Sequence, residues 1–444
     1  MKRKFSQTRI IALGYILIII VGTLLLMLPA ASQSGKSAGF VPAMFTAVSA
    51  SCVTGLVVLD TATSWTVFGQ AIIITLIQIG GLGFMTIATM FSMLLKRRMG
   101  LREREIMVES INTQHIGGIM LLTRKIIAGT VLFETCGALL LATRFIPRFG
   151  PVKGIWYSVF HSVSAFCNAG FDLMGITEPY ASLTGFSDDV VVNFTLCALI
   201  IIGGIGFLVW DDIGKKKLRF KYYQLHTKLV LTVTAILLVV PSILFFVFER
   251  NFTNAGLGLG HSVLNSIFDS VTARTAGFNT TDTAALSPAS KILTIFLMFI
   301  GGSPGSTAGG IKTTTLAVIA VSTFNGITRR QSKGVFGRRL EKDAIHKASS
   351  VAFTNMSLAI FGIIAICAFQ PTLDIGDIIF ECVSAIGTVG MSTGITRSLT
   401  LAPRLIIAFL MFCGRVGSVS FALALMEKRA APPIKNPREK ITIG

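Results

Sequence analysis

FTAVSASCVTG at residues 45–55 is the first of four short segments that share one pattern. The others are FHSVSAFCNAG at 160–170, FDSVTARTAG at 268–277 and FECVSAIGTVG at 380–390. Each segment is amphiphilic, begins with phenylalanine and ends in a single glycine, and these glycines are 115, 107 and 113 residues apart. A pattern repeated at a nearly fixed period indicates one structural unit used several times, so the chain predicts four copies of one unit.

The composition places these units in a membrane. Apolar residues make up 52% of the chain and charged residues 14%, and the mean hydropathy is +0.72. The first apolar run follows Lys2, Arg3 and Lys4 as in a signal peptide, but it is long enough to span and is followed only by a weak cleavage site. A spanning helix needs about 20 predominantly apolar residues. We expect eight spans, at 10–29, 67–95, 119–143, 190–210, 227–248, 291–323 with a break, 349–371 and 402–426.

Each repeated segment lies between the two members of a pair of spans. A segment of roughly 12 residues is too short to cross at ~1.5 Å per residue, so it must enter and leave by one face. Such backbone survives at membrane depth only where it lines water or is buried in protein. The fold class predicted is therefore an all-α membrane protein with four membrane helix–pore loop–membrane helix repeats around one pore. The predicted repeats are 1–98, 99–213, 214–330 and 331–444, with pore segments 42–56, 157–171, 264–278 and 377–391.

The basic residues predict the orientation. In this topology 29 of the 40 lysine and arginine residues fall on one side and eight on the other. The positive-inside rule then places both termini in the cytoplasm and all four pore segments on the outer side of the cell membrane. The same net charge of +19 is weak support for nucleic-acid binding, because the basic runs lie in separate loops.

Other classes of function find little support. The seven cysteines contain no CxxC pair and the five histidines are scattered, so neither disulfides, a zinc site nor a cofactor is expected. An enzyme would need a nucleophile with a base or a metal cluster in the spans. A solute carrier would show two inverted halves with broken helices in matching places. We expect instead four parallel repeats in which only the span at 291–323 is strongly broken.

The residues around the four glycines suit a monovalent cation. They contain no carboxylate, and glycine permits backbone conformations that can aim several carbonyls in one direction. Rings of carbonyls replace the hydration shell of such an ion. Close helix packing by small residues is the alternative, and it explains one segment better than four. The candidate ion-binding residues are Val53, Thr54, Gly55, Leu56, Asn168, Ala169, Gly170, Phe171, Thr275, Ala276, Gly277, Phe278, Thr388, Val389, Gly390 and Met391.

The span at 291–323 should break under these residues. It reaches Gly301 ten residues after Lys291, about 15 Å into a ~30 Å core. The next ten residues cannot hold a regular helix, because glycine costs about 1 kcal/mol and proline about 3. A phosphate loop is the rival interpretation, but Ile311 interrupts the GxxxxGK[ST] spacing. The candidate gate residues here are Gly301, Gly302, Ser303, Pro304, Gly305, Ser306, Thr307, Ala308, Gly309, Gly310 and Lys312.

Three cations fall within the membrane layer, where charge is costly and functional by default. For Arg274 the alternative to a functional role is an anchor at a helix end, and for Lys312 it is a side chain that snorkels to the interface. Arg415 follows Arg404 by 11 residues and so reaches the depth of the break. Its five donors match the carbonyls that the break exposes. We expect Arg415 to hold the loop across the pore, with a purely structural role as the alternative.

These segments, QIGGLGF at 78–84, IIGGIGF at 201–207 and the broken span resemble the Trk/Ktr/HKT superfamily of potassium transporters over the whole chain. The bacterial Ktr type of membrane subunit is the most similar. The resemblance implies K+ bound by backbone carbonyls of the sixteen residues above, and a gate formed by the loop and the arginine. It also implies a homodimer with one pore per protomer and a cytoplasmic ring of nucleotide-binding RCK subunits.

Two details of the resemblance concern the glycines. Family members with serine at one of the four positions tend to admit sodium, so four glycines imply a preference for potassium. The third segment departs from the pattern, because it has one residue fewer between Phe268 and Gly277. Its helix should therefore end differently from the other three.

Overall fold

The structure is a computed structural model that describes residues 7–83, 85–87, 89–90, 100, 106, 108, 119–217, 219–328, 335–339 and 341–417. Within these ranges every regular element is a helix, and β contacts are limited to three isolated bridges. The α-helices are α1 (Gln7–Leu26), α2 (Phe40–Cys52), α3 (Thr61–Ser64), α4 (Val67–Leu82), α5 (Ile119–Phe149), α6 (Pro151–Phe166), α7 (Val190–Gly204), α8 (Phe207–Lys216), α9 (Leu225–Phe248), α10 (Leu259–Thr272), α11 (Pro288–Phe299), α12 (Thr313–Ile327), α13 (Lys342–Phe369), α14 (Ile375–Gly387) and α15 (Leu401–Val416).

Four of the described helices are long and apolar enough to cross a membrane: α1, α5, α9 and α13. The bent pair α7–α8 makes a fifth if it counts as one span. Helices α2, α4, α11 and α12 are apolar but shorter. The chain is therefore an all-helical protein of the multi-pass membrane kind, while the count of eight spans remains a prediction.

The expectation that only the span at 291–323 is strongly broken was wrong. Helix α7 lies in the predicted span 190–210, and α8, which begins at Phe207 near the end of that span, meets it at an angle of 94°. The break occurs at Gly206, whose φ of 97° is open mainly to glycine. The Phe207 N–H, freed by the break, donates to the carbonyl of Gly305 at 2.7 Å. The two breaks therefore satisfy each other's backbone groups.

Two more spans end their described helices early. Helix α4 stops at Leu82 before Gly83, with a φ of 81°, and α15 stops at Val416 before Gly417, with a φ of 90°. The remainders of the predicted spans 67–95 and 402–426 fall largely outside the described residues. Helices α4 and α15 are thus shorter than the continuous apolar runs predict, because a glycine ends each of them.

The short helices form the centre of the protein and the long ones its rim. The shared phenylalanine of each repeated segment, for example Phe160 and Phe380, is at most 1% exposed. By contrast, Leu139 on α5 is 65% exposed and Phe353 on α13 is 74% exposed. An apolar rim around a packed centre suits a lipid environment. At that centre the ends of α2, α6, α10 and α14 come together.

Candidate functional site

The four glycines that end the repeated segments form a closed ring, which we call the glycine ring (Gly55, Gly170, Gly277 and Gly390). A β-carbon added to any of them would collide with a backbone carbonyl of the next segment. From the added β-carbon to the carbonyl oxygen, the distances are 2.5 Å for Gly55 and Ala169, 2.7 Å for Gly170 and Ala276, 2.4 Å for Gly277 and Val389, and 2.0 Å for Gly390 and Thr54. The contacts run from the first segment through the fourth and back to the first. Only glycine fits at these four positions.

The backbone around the ring is strained at matching places. Each ring glycine has a positive φ, between 69° and 94°. The residue two positions earlier is also left-handed in every segment, with φ between 51° and 67°. Asparagine tolerates this conformation, but Val53, Thr275 and Thr388 are β-branched and are outliers there. Such strain, of order 1–3 kcal/mol per residue, persists only where the surroundings impose it, and it clusters at functional sites.

Helix ends hold this conformation in three segments in the same way. The N–H of the residue before the glycine donates to the carbonyl five residues earlier, for example Thr54 to Ser49 at 2.8 Å and Val389 to Ser384 at 2.9 Å. In the third segment Ala276 donates instead to Thr272, four residues earlier, at 3.0 Å. Helix α10 accordingly ends five residues before Gly277. The predicted difference in the third helix end is confirmed, because the helix stops earlier and the hydrogen bond after it spans four residues instead of five.

The ring offers carbonyl oxygens rather than charged ligands. Thr54, Ala169, Ala276 and Val389, which supply the carbonyls that touch the ring, are buried. No group of three His, Cys, Asp or Glu side chains suited to a metal occurs among the described residues. Backbone carbonyls gathered in this way can replace the water around a monovalent cation.

A cavity of about 310 Å³ lies next to the ring glycines, on the side of the residues that follow them in each segment. Its lining includes the carboxylates of Asp60, Asp172 and Asp282 as well as the guanidinium of Arg397. Burial of the Asp172 carboxyl group, assisted by the nearby charge of Asp60, raises its pKa to about 6. The mouth of the ring therefore carries negative charge that acid can remove.

A loop without helix at residues 301–312 lies on the other side. The Thr307 hydroxyl donates to the carbonyl of Phe166 at 3.0 Å and to Asn168 Oδ1 at 3.1 Å. A β-carbon on Gly309 would lie 1.9 Å from Thr388 Oγ1. The loop thus touches residues that precede the ring glycines, whereas the cavity is lined by the glycines and residues that follow them.

Two cations bind successive carbonyls of this loop. Arg415 donates to the carbonyl of Thr307 and also to those of Gly80 and Gly81, the last at 3.1 Å. The Lys312 ammonium donates to Ala308 O at 2.6 Å and to Gly309 O at 3.3 Å. Arg415 therefore joins the end of α15, the loop and the end of α4. Lys312 therefore binds the loop itself, and the snorkelling alternative does not hold, because the loop's own carbonyls are within its reach.

The structure also places Arg274, which the sequence suggested as an anchor. It is buried directly after α10, and its Nε has no hydrogen-bond partner among the described residues. Sequence reasoning missed three buried ionisable side chains in the pore helices, His161, Asp269 and Glu381. A signal was available, since each directly follows the shared phenylalanine of its segment.

This chain resembles known proteins in both sequence and fold. The family profile described as TrkH, cation transport protein, matches residues 6–431. The chain belongs to the TrkH family. A crystal structure of the potassium transporter TrkH from Vibrio parahaemolyticus superposes with a TM-score of 0.73 over 96% of this chain and 86% of that one. At 16% identity, that likeness concerns the fold.

Curated relatives of this TrkH-family chain are similar over their full length. Potassium/sodium uptake protein NtpJ of Enterococcus hirae is 42% identical, with 100% of this chain and 98% of NtpJ covered. Ktr system potassium uptake protein B of Bacillus subtilis is 40% identical, with 99% and 97% covered. The resemblance to Trk and Ktr proteins is thus confirmed. These relatives are transporters of the membrane, and no family of enzymes is indicated.

Proposed function

We propose that the chain takes up potassium across the cytoplasmic membrane through the backbone carbonyls of the glycine ring. The observation that carries this proposal is the closed contact of four glycines from four distant segments. A ring of neutral carbonyls favours a dehydrated monovalent cation and offers nothing to an anion. The names of the relatives, which refer to potassium uptake, support the same ion.

The proposed architecture has four repeats and eight spans, with the boundaries predicted from the sequence. Helices α2, α6, α10 and α14 serve as the pore helices, and each lies between an earlier long helix and a later interrupted one. In the third repeat α11, the loop and α12 together make one span. Both termini are proposed to be cytoplasmic, because most basic residues lie in the loops on that side.

The loop at 301–310, with Lys312 and Arg415, is proposed as the gate. This role is supported by two contacts of the loop: it touches Asn168 and approaches Thr388, and both residues belong to the sixteen ion-binding candidates. A segment in that position blocks an ion leaving the ring toward the cytoplasm. Arg415 holds it there through Thr307.

The proposed assembly is a homodimer with one pore per protomer, regulated by a cytoplasmic RCK-type ring that binds nucleotide. The relative from Bacillus subtilis is named as one protein of a Ktr system. The basic loops at 215–228 and 329–347 are the proposed docking surface. Phe220 and Phe336, one from each loop, lie 6.0 Å apart, and Lys228 covers both rings at 5.8 and 5.9 Å. The two loops therefore present one surface in the part of the chain that the structure describes.

Flux into liposomes tests the function directly. Purified protein is reconstituted, and uptake of rubidium, sodium and lithium is compared, with rubidium also measured in the presence of sodium to detect sodium stimulation. We expect rubidium uptake that potassium inhibits and that exceeds sodium and lithium uptake. Equal uptake of all three ions would contradict a potassium-selective ring.

A further inference from the structure

One position of the pore helices is buried and polar in all four segments. It directly follows the shared phenylalanine and holds Thr46, His161, Asp269 and Glu381, none of which is more than 3% exposed. Polar side chains buried this deeply are costly unless they are hydrogen-bonded, so their partners indicate what they do. We call the chain that follows each ring glycine the outer leg of its segment.

In three segments this side chain binds the outer leg. His161 Nε2 accepts from the N–H of Leu173 at 3.3 Å, three residues after Gly170. Asp269 Oδ1 accepts from the Thr281 hydroxyl at 3.2 Å, four residues after Gly277. The same register thus links helix and outer leg by different chemistry in the second and third segments.

The link is most extensive in the fourth segment. Glu381 Oε2 accepts from the Ser392 hydroxyl at 2.7 Å, and Oε1 accepts from the Thr396 hydroxyl. The two hydroxyl oxygens are 3.0 Å apart, and the Gly394 N–H donates to Ser392 Oγ at 2.9 Å. Both carboxyl oxygens of Glu381 are therefore hydrogen-bonded to hydroxyl groups of the outer leg. Ser392 lies only two residues after Gly390.

The first segment lacks such a link. Thr46 Oγ1 has no hydrogen-bond partner among the described residues. Gly390 follows Glu381 in the same segment and has the least free space of the four ring glycines, because a β-carbon added to it would lie 2.0 Å from the carbonyl oxygen of Thr54 in the unlinked first segment. The fourth segment, whose outer leg is bonded to Glu381, therefore packs against the first segment, which has no corresponding bond among the described residues.

We infer that Glu381 is a positioning residue that fixes the outer leg of the fourth segment through Ser392 and Thr396, and so sets the ion selectivity of the glycine ring. This inference rests on the proposed potassium uptake. A ring of carbonyls discriminates between ions by the number and geometry of the oxygens that face them. Displacement of Gly390 and Met391 changes that geometry without removing any ion ligand.

The test measures the ratio of rubidium to sodium uptake in liposomes, together with the KM and maximal rate for rubidium. Glu381→Ala should lower the ratio about tenfold, the effect of leaving one buried hydrogen bond unmade. Ser392→Ala combined with Thr396→Val should lower it by a similar factor and add little to Glu381→Ala, because the three groups form one network. Glu381→Gln should retain more selectivity than Glu381→Ala, since the amide oxygen still accepts from one hydroxyl.

The matched control is Thr46→Val. It changes the same register in the first segment, where the hydroxyl makes no bond in the described structure, and it should leave the ratio unchanged. A wild-type ratio in both Glu381→Gln and the Ser392→Ala, Thr396→Val variant would overturn the inference, even if total uptake or thermal stability fell. Failure of the proposed function would look different, because the wild-type protein itself would then show no preference for rubidium. If Glu381→Ala does not fold, the other two variants still decide the outcome.

Discussion

Arg415 and Thr307 are 108 residues apart in the chain, yet the guanidinium of the first donates to the backbone carbonyl of the second. The hydroxyl of the same threonine donates to Asn168 Oδ1, and Asn168 Nδ2 donates to Thr275 Oγ1 at 3.3 Å. One loop residue therefore connects a cation at the end of α15 with two segments of the glycine ring. Any movement of the loop away from the ring breaks bonds on both sides of Thr307.

Removal of Arg415 should open the pore. A hydrogen bond to a charged group contributes about 1.5–3 kcal/mol, and its loss shifts a two-state equilibrium by about ten- to a hundredfold. We expect Arg415→Ala, and separately deletion of several glycines from the loop, to raise rubidium uptake in the absence of any regulatory subunit. The control is Arg404→Ala, on the same helix but near its opposite end, where the side chain donates to the carbonyl of Arg397. A folded Arg415→Ala protein that stays closed and dependent on its partner would make the arginine a purely structural residue.

Substitution of the ring glycines by serine should admit sodium. The added β-carbon must displace a carbonyl of the next segment. It would lie closest to that oxygen at Gly390, at 2.0 Å, and farthest from it at Gly170, at 2.7 Å, so the displacement is largest for Gly390 and smallest for Gly170. We expect the rubidium-to-sodium uptake ratio to fall in that order of severity. Gly35→Ser is a matched control, because its φ of 68° equals that of Gly170 within a degree while nothing lies within 4 Å of its β-carbon. Unchanged selectivity at all four ring positions would refute the carbonyl filter.

Acid on the outer side should weaken cation binding. With a pKa of about 6, Asp172 is mostly ionised at neutral pH and loses its charge as the pH falls through that value. The loss of one charge near the ring is expected to raise the KM for rubidium about two- to fivefold, the effect of roughly 0.5–1 kcal/mol.

The check is the KM at external pH values on both sides of the pKa. Asp172→Asn should show the high KM at neutral pH and little further change on acidification, while Asp188→Asn, on the exposed surface, should behave as the wild type does. A pH profile that persists in Asp172→Asn would show that the effect does not come from Asp172.

Neutralising the basic loops should weaken binding of a regulatory subunit. Lys215 and Lys216 are paired with Asp211 and Asp212 at 2.5 and 2.8 Å, so their charges are partly compensated. We expect glutamine at positions Lys217, Arg219 and Lys221 to reduce co-purification of the subunit more than glutamine at Lys215 and Lys216.

The full test also neutralises the loop at 329–347, part of which lies outside the described residues. Each variant must first be shown to insert in the membrane. A correctly inserted protein with both loops neutralised that still captures the subunit would mean that these residues serve only to orient the chain.

The apolar composition and the repeated phenylalanine-to-glycine pattern together were enough to predict a helical membrane protein, four glycines brought together and the altered end of α10. These features depend on hydrophobic periodicity and on the conformational freedom of glycine, which are local properties. The additional break at Gly206 lies in the GGIGF motif, which indicates a possible break. The continuous apolar run around it predicted an unbroken span instead, because hydropathy does not show which carbonyl will accept a freed N–H.

Only the tertiary structure decided which groups meet. Spacing placed Arg415 at the depth of the loop, and the structure shows its bond to Thr307. No spacing in the chain shows that Gly390 closes against Thr54, that Arg415 also reaches Gly81, or that Glu381 binds Ser392 and Thr396. These partners are backbone carbonyls and hydroxyls, which almost every residue or many residues carry, so residue type says little about them. What selects them is the packing of four segments around one axis, where buried polar groups must find a partner or destabilise the fold.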